Sequence, residues 1–233
     1  MLEITVNDIV IEVERKNIKN LRLGVYPPVG RVKIASPMYV HDEIIKLFVS
    51  SKLEWIKKQQ TKFALQLKEP QHEYIAGENH YFQGQRYLLN IIYGNKNRVE
   101  LRDRKFIDLY INHGATYNKR RCIMKNWYRD QLHQTIPGYI DKWQAIIGVK
   151  VFGYGIKQMK TKWGSCNITK KHILLNLELA KRPLHCLEYV VLHELVHLLE
   201  RKHNDKFNAY LNKFMPEWKV YRKELNSLVL TNY

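Results

Sequence analysis

Apolar and polar residues alternate through the opening of the chain: Ile4, Val6, Ile9, Ile11 and Val13, then Leu21, Leu23 and Val25, then Val32 and Ile34. A period of two puts these side chains on one face of a pleated ribbon and predicts half-buried strands. Asn7-Asp8 and Pro27-Pro28 through Gly30 supply the turns. From about residue 41 to 66 the apolar positions shift to helical spacing, with Ile44, Ile45, Leu47, Phe48, Leu53, Trp55 and Ile56. His41-Asp42-Glu43 places acid in the first turn of that long helix. Strands return between Tyr74 and Ile111, divided by Gly77, Gly84 and Gly94-Asn95. A helical pattern follows from Ala115 to about Trp143, with a break expected at Pro137-Gly138. A second β stretch is predicted over Val149 to Phe152, Ile156 to Trp163 and His172 to Leu177. Helices then begin near Pro183, run from Asp205 to Phe214, and resume after Pro216. The class is α+β, divided into a β-rich region over 1–112 with one long helix and a second domain over 113–233. There is no internal sequence repeat or low-complexity segment.

Length and composition narrow the classes. The 233 residues are 45% hydrophobic, with 15 Tyr and 5 Trp, enough for a substantial core. No apolar run approaches a membrane span, and Met1-Leu2-Glu3-Ile4-Thr5 does not read as a signal peptide, so no membrane partner and a cytoplasmic location are expected. Cys122, Cys166 and Cys186 are odd in number and lack C-x-x-C spacing, which reads as reduced structural thiols. The net charge of +17, from 39 Lys and Arg against 22 Asp and Glu, is compatible with a nucleic-acid partner or an acidic substrate. The basic residues are spread along the chain with no nucleic-acid-binding motif, which favours a general solubility role. Oligomeric state is not set by the sequence.

The candidate chemistry lies in His193-Glu194-Leu195-Val196-His197 and in His203 beyond it. A helix turns about 100° per residue, so His193 and His197 share a face one turn apart and can converge on one metal ion. Glu194 points about a third of a turn away, placed to reach a water on that ion rather than the ion itself. Neutral imidazoles suit Zn²⁺, and a catalytic site needs three protein ligands and an open position. On an unbroken helix His203 would lie about 9 Å further along the axis than His197. The helix is therefore expected to stop near Glu200 to Lys202, with Asn204-Asp205 capping the next one. The metzincin pattern has the same histidine spacing with Gly where Glu200 stands here. His203 is the favoured third ligand; Glu200 and Glu217 are its rivals. The apolar surroundings, Tyr189 to Leu192 and Leu195-Val196, predict a buried helix, in which an unpartnered His-Glu pair would be costly.

The run Met159-Lys160-Thr161-Lys162-Trp163-Gly164-Ser165-Cys166 precedes an apolar strand, Ile173 to Leu177, then Pro183, Tyr189-Val190-Val191, the His193 motif, His203 and Phe207. This order resembles the YgjP-like zinc metallopeptidases, relatives of the WLM and SprT-like proteins. The likeness is strongest from about Gly148 to Leu225 and looser over Ala35-Ser36-Pro37, Trp55-Ile56 and Gly77 to Tyr87. It departs from the family at Asn167, often Ser, and at Asn208, where many relatives have Trp. The resemblance implies a zincin-like, gluzincin-type metallopeptidase domain with the H-E-x-x-H helix. It implies His193, His197 and His203 as zinc ligands, one Zn²⁺ per chain, and Glu194 as the catalytic glutamate. It places Trp163-Gly164-Ser165 beside the site.

The expected function is zinc-dependent hydrolysis of peptide bonds in peptide or protein substrates, with metal-bound water activated by Glu194 as general base. Tyr210, Tyr154, Lys206 and His185 are candidate second electrophiles, and Glu188 a candidate partner behind the ligands. The Trp163 to Cys166 segment fits equally as core packing or as an edge strand that pairs with extended peptide. Two other classes compete: a nucleic-acid-associated protease of SprT-like type, and a non-enzymatic binding or regulatory module stabilised by metal.

Overall fold

The alternating opening becomes strands Leu2–Val6 (β1), Ile9–Lys16 (β2), Arg22–Tyr26 (β3) and Arg31–Pro37 (β4). Their sheet has the order β1-β2-β4-β3, with β2 and β4 parallel and both outer pairs antiparallel. The computed structural model describes residues 2–26, 29–65 and 72–227. Pro27-Pro28 of the expected turn therefore lies outside the described residues, as does residue 66 of the expected helix. The inward positions of β1, β2 and β4 (Ile4, Val6, Ile11, Val13, Val32 and Ile34) form a core with Ile45, Val49 and Ile56.

Those last three come from two helices, Asp42–Ser50 (α1) and Leu53–Leu65 (α2), where the sequence pattern predicts one. The chain turns at Ser51-Lys52, because Ser51 Oγ donates to Phe48 O at 2.7 Å and Lys52 N closes a tight bond to Val49 O at 2.9 Å. Arg15 of β2 ties the entry of α1 by donating to Ser36 Oγ, Pro37 O, Val40 O and Asp42 Oδ1.

The chain divides into two compact units, Met1–Pro70 with Ser227–Tyr233, and Gln71–Asn226. A second sheet opens the latter, from Asn79–Phe82 (β5), Gln85–Tyr93 (β6), Arg98–Arg102 (β7) and Phe106–Ile111 (β8). Its order, β5-β6-β8-β7 with β6 and β8 parallel, repeats the topology of the first sheet without any sequence repeat.

The helix Tyr117–Ile147 (α3) runs unbroken through Pro137, where a break is expected. Met124, Trp127, Tyr128, Leu132 and Ile136 before the proline, and Ile140, Trp143 and Ile147 after it, continue one buried stripe. Their burial outweighs the roughly 3 kcal/mol a helical proline costs, since each large apolar side chain contributes about 1.5–3 kcal/mol. Thr116 caps the start and Gly148, at φ 71°, closes the end.

Three strands follow: Gly153–Lys157 (β9), Gly164–Asn167 (β10) and His172–Asn176 (β11), in the order β10-β11-β9. The first is displaced from the expected Val149 to Phe152, and Trp163 stands just before β10 rather than ending a strand. A 3-10 turn, Leu177–Lys181, leads to helices Leu184–Val196 (α4), Asp205–Phe214 (α5) and Trp218–Ser227 (α6). The β5–β6 turn rests on the start of α4. Gly84 sits at φ 81°, donates to Lys181 O at 3.1 Å, and would place a Cβ 2.7 Å from Pro183 Cγ.

Candidate metal centre

Helix α4 is buried almost all round, with Val191, Leu192, Leu195 and Val196 sealed from solvent as it packs against α3, α5, β10 and β11. It ends at His197, slightly earlier than expected. Leu198 N and Leu199 N bond to Leu195 O and Val196 O at 3.0 and 2.9 Å, tightening the last turn. The chain then doubles back, and Asn204 caps α5 by accepting from Phe207 N at 3.0 Å.

This reversal brings His203 to the helix. Its Nε2 lies 2.9 Å from His193 Nε2, and His193, His197 and His203 each offer a ring nitrogen within 4.8 Å of the others. Phe207, itself buried, backs the cluster with its ring 4.9, 4.8 and 4.8 Å from the three imidazoles. Glu200 O accepts from His197 Nδ1 at 3.3 Å, which fixes that tautomer because a carbonyl can only accept. The Tyr189 hydroxyl lies 3.4 Å from His193 Nδ1.

Burial first, then the neighbouring His197 and His203, then Arg222, push His193 down to about 3. Burial is also the first cause lowering His197 and His203. Three imidazoles held neutral, with ring nitrogens converging, are the donor set a borderline-soft divalent ion takes. The His193–His203 separation is near the edge of about 3.3 Å expected for a tetrahedron with Zn–N of about 2.0 Å. The residues present therefore fit the metal that the motif implies.

Glu194 lies outside the histidine cluster and is only 5% exposed. Burial raises its carboxyl to about 8, against the pull of Lys162. It faces a cleft of about 580 Å³ lined by the three histidines, Gly164 to Cys166, Tyr189, Trp218 and Arg222. Strand β10 forms one side of this cleft and is the edge of its sheet.

The rival ligands stand apart from the cluster: Glu200 Oε1 accepts from Lys202 N at 3.2 Å, and Glu217 is not among the grouped residues. Tyr210, Tyr154, Lys206 and His185 do not line the cleft. Tyr154 bonds to His133, and His185 to Glu224. Glu188 ties α4 to α3 instead, accepting from Lys142 Nζ at 2.6 Å and Trp143 Nε1 at 3.1 Å.

Asn176 escapes the sequence reading. It is fully buried and makes four bonds: Oδ1 accepts from Met159 N and Glu178 N, and Nδ2 donates to Met159 O and Lys162 O. It thereby pins the loop that delivers Trp163 and Gly164. An amide at the end of the apolar run Ile173 to Leu175 was the available signal.

Two further groups have the composition of metal sites. In the first, Glu78 accepts from Glu73 N, Tyr74 N and the rings of His72 and His80. Those rings stack at 4.1 Å and 16°, so their lone pairs run in near-parallel planes rather than converging. In the second, His185, Cys186 and Glu224, burial pushes the Cys186 thiol up to about 12, far from the thiolate a metal takes.

A family model described as the YgjP-like metallopeptidase domain matches residues 19–228. Among solved structures, the metallopeptidase zymogen abylysin of Pyrococcus abyssi is 19% identical, with 39% of this chain and 90% of that one covered and a TM-score of 0.36. The zymogen jannalysin of Methanocaldococcus jannaschii is 23% identical, with 39% and 92% covered and a TM-score of 0.35. No curated protein matches the chain.

Proposed function

The chain belongs to the YgjP-like metallopeptidase family and is a peptide-bond hydrolase, and from that premise we propose a zinc-dependent enzyme with His193, His197 and His203 as ligands and Glu194 as general base. The observation that carries this reading is the convergence of three neutral imidazoles beside a buried carboxylate in one cleft. We read one zinc ion per chain, because among the described residues this is the one cluster of three imidazoles. All these residues fall in 113–233, which we read as a zincin-like, gluzincin-type domain; residues 1–112 contribute none of them. Free thiols at Cys122, Cys166 and Cys186 favour a reducing compartment, and we read the location as cytoplasmic.

A bound zinc ion supplies Lewis acidity, bringing the pKa of water at the site from about 15.7 towards about 7 and polarising a carbonyl. The protein's own groups do the rest. Glu194 Oε takes the proton from the attacking water and delivers it to the leaving amine. Burial raises the proton affinity of this carboxyl, so that once ionised beside the metal's charge it would be a strong proton acceptor, and Gly164 leaves it room against β10. Glu200 O aims the His197 ring, and Phe207 closes the apolar floor beneath all three imidazoles. The edge strand β10 offers unpaired backbone to an extended peptide, which would add to the sheet as a further strand.

The test is Glu194→Gln. Zinc content measured by mass spectrometry should equal that of the wild type, while hydrolysis of a denatured protein substrate falls by about 10²–10⁴-fold. Undiminished metal-dependent cleavage by this variant removes Glu194 from the role of base.

A further inference from the structure

The cleft over His193 and Glu194 does not end at the metal cluster. A second cavity shares Ser165, Cys166, Ile168 and Arg201 with it, so the two form one groove along β10. The charged groups along this groove are one-sided. Lys162, Arg201 and Arg222 line the first part, and Lys170 joins Arg201 in the second. All four are exposed. The carboxylate lining the groove is Glu194, at its buried base, and among the described residues no other lining residue is acidic. Among the described residues, none of the four cations forms an ion pair with an acidic side chain.

A groove walled by low-dielectric protein and lined by one sign of charge concentrates ligands of the other sign.

We propose that this groove selects peptides carrying carboxylates beside the scissile bond, with Lys162 and Arg222 flanking the reacting centre and Arg201 reading the continuation along β10. The inference deepens the peptidase reading and rests on it. Net charge alone would attract any acidic chain to any face; the groove differs in gathering cations beside the edge strand with, among the described residues, no acid but Glu194. Lysine- and arginine-rich segments are disfavoured by the same arrangement.

The experiment uses three labelled decapeptides that differ only at four positions, filled with Asp and Glu, with Asn and Gln, or with Lys. Binding is read by fluorescence anisotropy on the full chain, and cleavage separately on the zinc-loaded chain. One exposed ion pair is worth about fivefold at most, so three together should favour the acidic peptide over the amide peptide by about tenfold or more. The variant Lys162→Gln/Arg201→Gln/Arg222→Gln should reduce that preference to within about twofold, because these exposed pairs carry it. A charge-matched control, Lys46→Gln/Lys52→Gln/Lys57→Gln, should keep it.

Equal loss in the control, or a preference untouched in the groove variant, overturns the proposal in favour of net charge. Single-stranded DNA binding that the groove variant abolishes, with no preference among the peptides, overturns it in favour of nucleic acid. An acidic preference that the groove variant loses, with no cleavage of any peptide, upholds the selection and overturns the peptidase reading alone.

Discussion

Gly164 of β10 lies so close to Glu194 that a Cβ at this position would stand 2.5 Å from Glu194 Oε1 and 2.8 Å from its Cγ. The glycine is there for space and not for an unusual turn, since it sits within a regular strand paired with Leu175. Gly164→Ala should therefore fold and bind zinc normally but move the carboxylate. A misplacement of about 1 Å at a catalytic group costs about 10²-fold in rate. Steady-state kinetics beside metal analysis checks this: wild-type kcat in the alanine variant would show that Glu194 tolerates the shift.

His203 is the ligand supplied from outside α4, and its place depends on the reversal that Asn204 caps. His203→Ala, purified without added metal, should lose zinc or bind it far more weakly, while Glu200→Gln and Glu217→Gln keep it. Zinc retained at one per chain in His203→Ala would assign the third ligand elsewhere.

How much of this was legible depended on how local each determinant is. Helix α5 runs from Asp205 to Phe214 as read from the sequence, because Asn204-Asp205 and Pro216 mark its ends by side-chain chemistry alone. The convergence of His193, His197 and His203 followed from helix geometry plus one required reversal. Tertiary packing decided the rest. Pro137 stays helical because buried residues lie on both sides of it, and the stop between α1 and α2 rests on serine bonds that leave no periodic signature. The sequence reading divides the chain at 112, which lies within the compact unit Gln71–Asn226. Both sheets show the same alternation and topology, and the contact that joins the second sheet to α4, Gly84 against Pro183, lies about a hundred residues apart in the chain. At Trp163 to Cys166 the structure shows core packing of Trp163 and Cys166 and places β10 at a sheet edge.

Asn176 fills its full bonding capacity while buried. Asn176→Ala leaves the carbonyls of Met159 and Lys162 and the amides of Met159 and Glu178 without these partners. The Glu178 amide is buried and the other three groups are part-buried; an unsatisfied buried group costs about 1–3 kcal/mol, so a loss of about that size in urea unfolding is expected. Activity should fall further than stability predicts, since the same loop carries Gly164. A variant with full activity and unchanged unfolding would deny the residue both roles.

Acid should weaken the fold through His80. Burial first, then the charge of His72, hold this imidazole at about 4, below its ordinary 6.5, against the attraction of Glu78; Lys181 adds to the lowering. The unfolded chain thus takes a proton near pH 6.5 that the folded chain refuses until about pH 4. The stabilisation is complete above pH 6.5 and declines as pH falls through that window, by about 1.4 kcal/mol per unit and so about 3 kcal/mol in all. Glu78, itself held below 4.5, continues the loss at lower pH once its carboxylate is protonated. His193 contributes with the same sign, so the comparison must isolate one residue. His80→Gln removes the titrating ring while keeping a polar group beside Glu78. Its urea midpoint should lie below the wild type at pH 7.5, and the gap should narrow steadily towards pH 4.5. Parallel pH profiles for the two proteins would show that the buried imidazole does not carry the acid lability.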